Sequence, residues 1–424
     1  MRKKSGVIPG LLALAVPTFG AAQQRVELPA RDRMLTDQPA RVWAVGTDEG
    51  ESWEMFANVG ALAFDAQDNL FVLDQGNSRV LVFDRSGKFV RQFGKQGGGP
   101  GEFQFPQSLA IARDGSVVVF DGGRRGYSVF EPDGSFRGMV PSPEGVGFPR
   151  GNEIAAHPDG GIVVRSMPPM NLQQGPPTDS SASPVYVQSL DEKNPTMTRL
   201  HDFMMPPPRV ITPPGSSGGR QMRMIAYSRP TFAVEPSWGI LPDGRIAISD
   251  GDDYLIRLTG PDNANATILS RPIQGHKVTK RDQEAAKEQR RETLRKGGGD
   301  GIRVVTGGAG RGGAVSFGGG GSGQPLTEAQ IQAQLEQMEF ADMIPAIARI
   351  STDPTGRIWV LRRPERIGGD SPFDLLRANG AYIGTVEKQT VPRAISMSGL
   401  AAYVEKNQLD IEQVVVRRLP ASWK

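Results

Sequence analysis

The chain of 424 residues contains no cysteine and only three histidines, His157, His201 and His276. Without cysteine it can form neither a disulfide nor a thiolate metal site, so its stability must come from its hydrophobic core. No two of the histidines have the spacing of metal ligands, which argues against a zinc centre. We therefore predict no catalytic residue set, no bound metal and no cofactor. Calcium stays an alternative, because it needs only oxygen ligands from residues such as Asp and Asn.

The first 22 residues carry the pattern of an export signal. Basic residues 2–4 precede an apolar run of about a dozen residues, and the small residues 20–22 follow. We predict a signal peptide cleaved after Ala22 and a periplasmic or secreted protein, without the cysteine of a lipoprotein anchor. A membrane anchor is the alternative, but it would need about 20 apolar residues, and Pro9 and Pro17 interrupt this run.

Charge gives no signal for a nucleic-acid partner. The chain has 49 Lys and Arg against 46 Asp and Glu, and three of the basic residues lie in the predicted signal, which leaves 46 of each. This balance does not predict the basic surface that nucleic acids require. We expect a monomer without a membrane span after signal cleavage.

A strand–turn–strand unit recurs six times along the chain. Each copy has a turn residue followed by a short, mostly apolar run that ends in a polar residue, such as LFVLD at 70–74 and VVVFD at 117–121. The aligned turn positions are Asp68, Gly115, Gly160, Gly244, Gly356 and Gly399. The first copy, residues 60–94, divides into four such runs, which suit four short antiparallel strands. This pattern predicts an all-β fold, a six-bladed β-propeller of four-stranded blades.

Five positions before each turn residue the sequence has a small side chain. These residues are Ala63, Ala110, Ala155, Gly239, Ser351 and Ala394. A blade narrows toward the axis of the ring, so its innermost strand has little room on one side. Bulkier residues flank this row at Leu62, Leu109, Ile154, Trp238 and Ile350, and Arg393 breaks the flanking row in the last copy.

The last copy has only three strand-like runs, and the run at 40–46 is a ready fourth strand. We predict a propeller over 41–424 that this N-terminal strand closes, with residues 23–40 as a linker. The 84 residues between the third and fourth turn positions could hold a seventh blade. However, the strand-like runs there, at 184–190 and 196–203, are needed as the outer strands of blade three.

Residues 64–111, with the motifs DNLFVLD, NSRVLVF and GGGPGEFQFP, resemble NHL repeats. Residues 237–258 and 341–362 are similar to the secreted six-bladed β-propeller proteins of environmental bacteria. The resemblance implies the fold and no particular activity. It also implies that Asp74, Asn77 and Arg79 brace the loop between the second and third strands of blade one.

The insertion over residues 274–344 is helical at both ends and glycine-rich in the middle. Residues 277–296 are charged and helix-favouring, and Thr327 with Gln330 forms a capping box that predicts a helix start. Residues 297–324 have too little apolar surface to fold, so we predict a mobile loop. Gly308, Gly310 and Gly313 match a dinucleotide fingerprint by letter, but the strand and helix that the fingerprint needs are missing around them.

The candidate site follows from the geometry of a propeller. Loops between the second and third strands of each blade emerge on the same face as the connections between blades, so their side chains converge around the channel mouth. The residues of this rim that we predict to bind a ligand are Asp121, Arg124, Glu153, Arg165, Asp250, Asp252, Asp253, Arg349 and Arg362. For each of them a solvated surface charge is the alternative interpretation.

Two functions from different classes are compatible with this rim. The first is an exported, non-catalytic scaffold that recognises a polar ligand, peptide, saccharide or partner protein, with arginine side chains suited to carboxylates. The second is a propeller hydrolase or lyase that uses a divalent cation at the central channel, with Glu153 or an Asp as general base. The sequence leaves open whether the protein is an enzyme and favours the first function.

Overall fold

The computed structural model describes residues 24–147, 149–168, 179–205, 209–211, 224–226, 229–260, 266–295, 304–305, 315–316 and 326–424. The predicted signal peptide, the glycines at 308, 310 and 313, and most of the predicted mobile loop at 297–324 lie outside these residues.

The strands form six four-stranded antiparallel blades, as predicted. Two strands precede the first blade, β1 (Gln24–Glu27) and β2 (Ala40–Val45). Blade one contains β3 (Val59–Phe64), β4 (Leu70–Asp74), β5 (Arg79–Phe83) and β6 (Phe89–Phe93). Blade two contains β7 (Pro106–Ile111), β8 (Val117–Asp121), β9 (Gly126–Phe130) and β10 (Phe136–Pro141). Blade three contains β11 (Pro149–Ala156), β12 (Ile162–Ser166), β13 (Ser181–Gln188) and β14 (Met197–Met205).

A short pair, β15 (Arg209–Ile211) and β16 (Met224–Ala226), precedes blade four. Blade four contains β17 (Ser237–Ile240), β18 (Ile246–Ser249), β19 (Leu255–Thr259) and β20 (Thr267–Ser270). The insertion then contributes β21 (His276–Lys277), α1 (Lys280–Arg295), β22 (Val304–Val305), β23 (Val315–Ser316), α2 (Glu328–Glu336) and β24 (Met343–Ile344). Blade five contains β25 (Ile347–Thr352), β26 (Arg357–Arg362), β27 (Phe373–Arg377) and β28 (Tyr382–Val386). Blade six contains β29 (Ala394–Ile395), β30 (Leu400–Lys406), β31 (Glu412–Arg418) and, as its fourth strand, β2.

The ring closes through the N-terminal strand, as predicted. Strand β2 pairs antiparallel with β31, and Trp43 lies opposite Val416 in this ladder. Innermost strands of adjacent blades also contact each other directly, including β29 with β3 and β3 with β7. The two ends of the propeller therefore share one sheet, and the last blade has no missing strand.

The hydrophobic core lies in the seams between adjacent blades. In blade one Leu62 and Val72 pack toward blade six, whereas Ala61 and Leu73 pack toward blade two. This division follows from the alternation of side chains along a strand, which gives each blade two apolar faces. The core is therefore distributed around the ring as a series of seams.

The six aligned turn positions have positive φ, from 65° at Asp68 to 109° at Gly160. The small residues that precede them lie on the innermost strands, where each blade is predicted to be narrowest. A Cβ at Gly239 would come within 2.6 Å of Thr352 Cγ2 on the innermost strand of blade five. The small side chains are therefore placed where neighbouring blades approach most closely.

Blade three accounts for the long interval that could have held a seventh blade. Its outer strands β13 and β14 cover most of the two predicted runs, and they pair with each other antiparallel. His201 lies on β14, within the run at 196–203 that was predicted as an outer strand. The seven-blade alternative is therefore excluded.

The insertion forms a helical hairpin. The predicted capping box is present at α2, where the Thr327 side chain accepts from the backbone N–H of Gln330 and the Gln330 side chain accepts from that of Thr327. Leu294 of α1 packs against Ile331 and Leu335 of α2. Their burial explains why these two charged segments hold together.

Residues 24–35, which we call the N-terminal strap, do more than form the linker that we predicted over 23–40. Strand β1 pairs in parallel with β20 and extends blade four to five strands. Further along the strap, Met34 forms a parallel bridge with Thr385 of β28 in blade five. The sequence did not predict this strand.

Candidate functional site

The loops between the second and third strands of each blade and the connections between blades lie on one side of the ring, which we call the upper face. The nine predicted rim residues come from elements that end or begin at this face. Most of those with described side chains hold neighbouring segments of the protein, and their contacts distinguish bracing residues from residues that are free to meet a ligand.

Asp121 is fully buried at the end of β8. Its carboxylate accepts hydrogen bonds from the backbone N–H groups of Gln104 at 2.7 Å, Phe105 at 2.9 Å and Gly123 at 2.9 Å. Arg124 also braces this region, because its Nη1 donates to the carbonyl oxygens of Gly99 and Glu102. Both residues fix the connection between blades one and two.

Blade one contains the same arrangement, as the NHL resemblance predicted. Asp74 accepts from the backbone N–H groups of Ala57 and Asn58, from Asn77 Nδ2 and from Arg79 Nε. The bracing interpretation of Asp74, Asn77 and Arg79 is therefore confirmed.

Arg165 lies fully buried at the upper end of the seam between blades three and four. Its Nη1 donates to the carbonyl oxygen of Pro236 at 2.7 Å, and its Nε donates to Ser183 Oγ at 3.2 Å. The guanidinium carbon lies 4.7 Å from the ring centroid of Phe203. Arg165 thus fixes the entry of the chain into blade four.

The three aspartates that follow β18 are exposed. Asp250 lies 3.6 Å from Arg257 Nη2, and Asp253 accepts from the backbone N–H of Gly275 at 3.3 Å. Asp252 contributes its backbone carbonyl, which accepts from the N–H of Ala346 at 2.7 Å. Two of these aspartates therefore help to hold the connections that lead into and out of the helical insertion.

Arg362 is paired with the N-terminal strap. Its Nη1 and Nη2 donate to the two carboxylate oxygens of Asp32 at 3.1 and 2.8 Å. Glu153 lies on β11, and its side chain is outside the described part of the structure.

Arg349 is a predicted rim residue that is exposed on an innermost strand. It lies near the start of β25, and among the described side chains of the innermost strands it is the one that is largely exposed. Arg363 follows β26, and its backbone N–H donates to the carbonyl of Ala346 at 3.0 Å, immediately before β25. The two arginines therefore lie at the same upper end of blade five.

Arg363 is partly buried, and burial lowers its pKa by disfavouring the charged form, whereas the carboxylate of Glu235 raises it. Its Nε is buried without a hydrogen-bond acceptor among the described residues. Glu235 also lies 4.0 Å from Arg165 Nη1. We call Arg349, Arg363 and Glu235 the mouth cluster. Our site prediction omitted Glu235 and Arg363, which lie 128 positions apart in the sequence.

No group of three His, Asp or Glu side chains in the described part of the chain is arranged to hold a metal ion. His157 and His276 are on different elements, before the turn after β11 and on β21. No helix within the described ranges is long and apolar enough to cross a lipid bilayer.

The fold and its repeats define this chain as a six-bladed β-propeller related to NHL-repeat proteins. Residues 55–134 match the DUF5128 family model, which is described as a 6-bladed beta-propeller. The E3 ubiquitin-protein ligase NHLRC1 of Rattus norvegicus is 31% identical over 235 residues, 53% of this chain and 54% of that protein. The human NHLRC1 is 30% identical over 137 residues, 32% of this chain and 33% of that protein.

The protein brain tumor of Drosophila melanogaster is 32% identical over 75 residues, 18% of this chain and 7% of that protein. The chain thus matches at most about half the length of these relatives. A solved DUF4221 family member from Bacteroides vulgatus has a TM-score of 0.44 and 10% identity over 88% of this chain and 95% of that one. A gluconolactonase from Xanthomonas campestris has a TM-score of 0.38 and 14% identity over 90% and 87%. These two similarities carry no argument about activity.

Proposed function

We propose that the protein is a non-catalytic binding propeller that recognises a carboxylate-bearing peptide or saccharide at the mouth of its channel. The single observation that carries this proposal is the exposed guanidinium of Arg349 on an innermost strand. Innermost strands surround the axis of the ring, so a ligand that enters the channel mouth meets this side chain first.

The mouth cluster has two cations and one carboxylate. Arginine binds carboxylates through paired N–H donors, and such charge-assisted bonds are stronger than neutral ones. Because Arg363 is partly desolvated, a ligand carboxylate beside it would interact in a medium of lower dielectric constant than water. The buried Nε of Arg363 adds a donor that a ligand oxygen could satisfy.

Export is part of this proposal and is supported by the sequence of the first 22 residues. A monomeric exported propeller would meet cell-wall peptides and acidic saccharides, both of which carry carboxylates. The bracing contacts of Asp121, Arg124 and Arg165 support a rim that is already formed before a ligand arrives.

The test is a binding screen of the purified chain with acidic peptides and uronic-acid oligosaccharides, each with a methyl-esterified counterpart. We expect binding of a free-acid ligand that falls at least tenfold on esterification and at least tenfold in Arg349→Ala. Arg199→Ala is the matched control, because Arg199 is an exposed arginine on the outer strand of blade three.

If the wild type and Arg349→Ala bind the same ligand with equal affinity, the mouth cluster is not the binding site. Mass spectrometry of the incubated ligands tests whether the protein binds them without cleaving them. Cleavage that depends on a stoichiometric bound cation would replace the binding function with the hydrolase or lyase function.

A further inference from the structure

A second arginine pair lies beneath the N-terminal strap, in the seam between blades four and five. Arg271 follows β20 and its side chain is fully buried. Its Nη1 lies 2.7 Å from Asp374 Oδ2, and its Nη2 lies 2.8 Å from Asp32 Oδ1. Arg362 holds the other oxygen of Asp32 at 2.8 Å. The Asp32 carboxylate of the strap is therefore bound by two guanidinium groups from the propeller.

The strap adds the backbone carbonyls of Pro29 and Ala30, which accept from Arg271 at 2.9 and 3.4 Å, and the propeller supplies the rest of this arrangement. Asp374 is fully buried and accepts from Thr385 Oγ1 at 2.6 Å in addition to Arg271. The rings of Tyr254 and Tyr382 lie 5.7 and 4.8 Å from the guanidinium carbon of Arg271. Without Asp32 the seam would hold two arginines and one carboxylate, and a buried cation that lacks its partner is costly.

The backbone of the strap also forms hydrogen bonds with the outermost strands of blades four and five. The N–H of Leu28 donates to the carbonyl of Ser270 at 2.7 Å, and the N–H of Leu35 donates to that of Thr385 at 2.8 Å. Gly384 makes room for the strap, because a Cβ there would lie 2.7 Å from the carbonyl oxygen of Arg33. These are the features of a site for strand addition, with main-chain hydrogen bonds and a specificity residue.

The strap itself is held by little buried surface. Of its 12 residues only Leu28 is buried, at 5% exposure, and Val26 and Leu35 are half-buried. Segments with few buried apolar contacts open locally at a free energy well below that of global unfolding. The propeller therefore forms the binding site, and the strap is the segment that another peptide would displace.

We infer that the groove along β20 and β28 is a binding site for an extended peptide with an apolar residue followed four positions later by a carboxylate. The strap occupies this site in cis through Leu28 and Asp32. The site is separate from the mouth cluster and does not depend on the function proposed for it.

The test uses the full chain and a fluorescein-labelled peptide of residues 24–35. In the wild type the cis strap competes at a high effective concentration. Asp32→Asn weakens that competitor, so we expect this variant to bind the peptide at least tenfold more tightly than the wild type, measured by fluorescence anisotropy. A peptide with Asn in place of its Asp should bind at least tenfold more weakly. Adding Arg362→Ala to the Asp32→Asn chain should also weaken peptide binding at least tenfold.

Asp37→Asn is the matched control, because Asp37 lies just beyond the strap and accepts a hydrogen bond from Ser422 Oγ outside the groove. It should bind the peptide as weakly as the wild type does.

Circular dichroism shows whether each variant is folded. If Asp32→Asn does not fold, excess peptide added to the wild type should speed hydrogen exchange at the amides of Leu28 and Leu35. Equal affinity for the Asp and Asn peptides would overturn the inference, as would unchanged exchange at saturating peptide. Dimerisation of Asp32→Asn by strap exchange without peptide binding would overturn it in favour of a second copy.

Discussion

Gly239 of β17 packs against Thr352 of β25, so close that a Cβ at Gly239 would lie 2.6 Å from Thr352 Cγ2 and 2.7 Å from Thr352 Oγ1. The Thr352 hydroxyl is itself fixed, because it donates to the carbonyl of Ile240 at 2.6 Å. The innermost strands of blades four and five therefore meet with no spare volume.

We expect Gly239→Ala to lower the free energy of unfolding by about 1–3 kcal/mol, the usual cost of overpacking. Thr352 cannot move away without losing its hydrogen bond to Ile240. Chemical denaturation of the two chains measures the difference. Gly251→Ala is the control, because a Cβ at Gly251 has nothing within 4 Å. If the two substitutions destabilise the protein equally, the close approach of Thr352 is not what disfavours a side chain at Gly239.

Closure of the ring through β2 gives a second prediction. Trp43 is 9% exposed, packs on Phe83 with ring centroids 5.9 Å apart, and donates from Nε1 to the carbonyl of Arg85 at 3.2 Å. We expect Trp43→Ala to cost about 3–5 kcal/mol in unfolding free energy, as for other large aromatic truncations in a core. Urea denaturation followed by circular dichroism measures it.

The neighbouring Val42 supplies the control for that experiment. It lies on the same strand but is 43% exposed, so Val42→Ala should change stability by less than about 1 kcal/mol. A loss in Trp43→Ala as small as that in Val42→Ala would mean that the Trp43 side chain contributes little to ring closure.

The repeat was readable from the sequence because its signals are local. A turn residue, a small residue five positions earlier and an alternating apolar run all lie within a dozen residues, and each reflects the same position in a blade. The NHL pattern could also have assigned Asp121 to bracing, because Asp121 ends its strand as Asp74 does in blade one. We placed Asp121 among the ligand-binding residues, and its buried contacts with backbone N–H groups now favour the structural role.

The strap had no local signal, and of the mouth cluster only Arg349 was among the predicted binding residues. Four residues of β1 are too few to show a period, and their partners in β20 lie about 240 positions away. Arg362 and Arg363 are adjacent in sequence, yet one is paired with the strap and the other lies beside the start of β25. Which of two neighbouring arginines pairs with the strap depends on side-chain alternation at the end of a strand, and that register is set by the whole sheet.

Two histidines, the buried His157 and the half-buried His201, predict a pH dependence of stability. Burial lowers the pKa of His157 and of His201, and the nearby carboxylates of Asp159 and Asp250 offset part of this effect. A depressed histidine pKa means that the unfolded chain binds protons at a higher pH than the folded chain does. Stability should therefore fall as the pH drops below the ordinary histidine value of about 6.5.

Thermal unfolding between pH 7 and pH 5 tests this expectation. We expect the double variant His157→Gln/His201→Gln to lose less stability over that interval than the wild type. His276→Gln is the control, since His276 is exposed on β21. A double variant with the wild-type pH dependence would show that other groups control the acid sensitivity.

The last prediction separates bracing from ligand binding at the rim. Asp121 is fully buried and accepts hydrogen bonds from the backbone N–H groups of Gln104, Phe105 and Gly123. Asp121→Ala would leave these donors without their acceptor, so we expect a loss of about 3 kcal/mol in unfolding free energy. Asp121→Asn keeps one carbonyl oxygen and should lose less. Asp370→Ala, in an exposed loop of blade five on the same face of the ring, should be close to neutral.

If Asp121 braces the rim, the folded Asn variant should bind the mouth ligand as the wild type does, whereas Arg349→Ala should retain stability and lose affinity. A stable Asp121→Ala chain with at least tenfold weaker ligand binding would instead assign Asp121 to the binding surface.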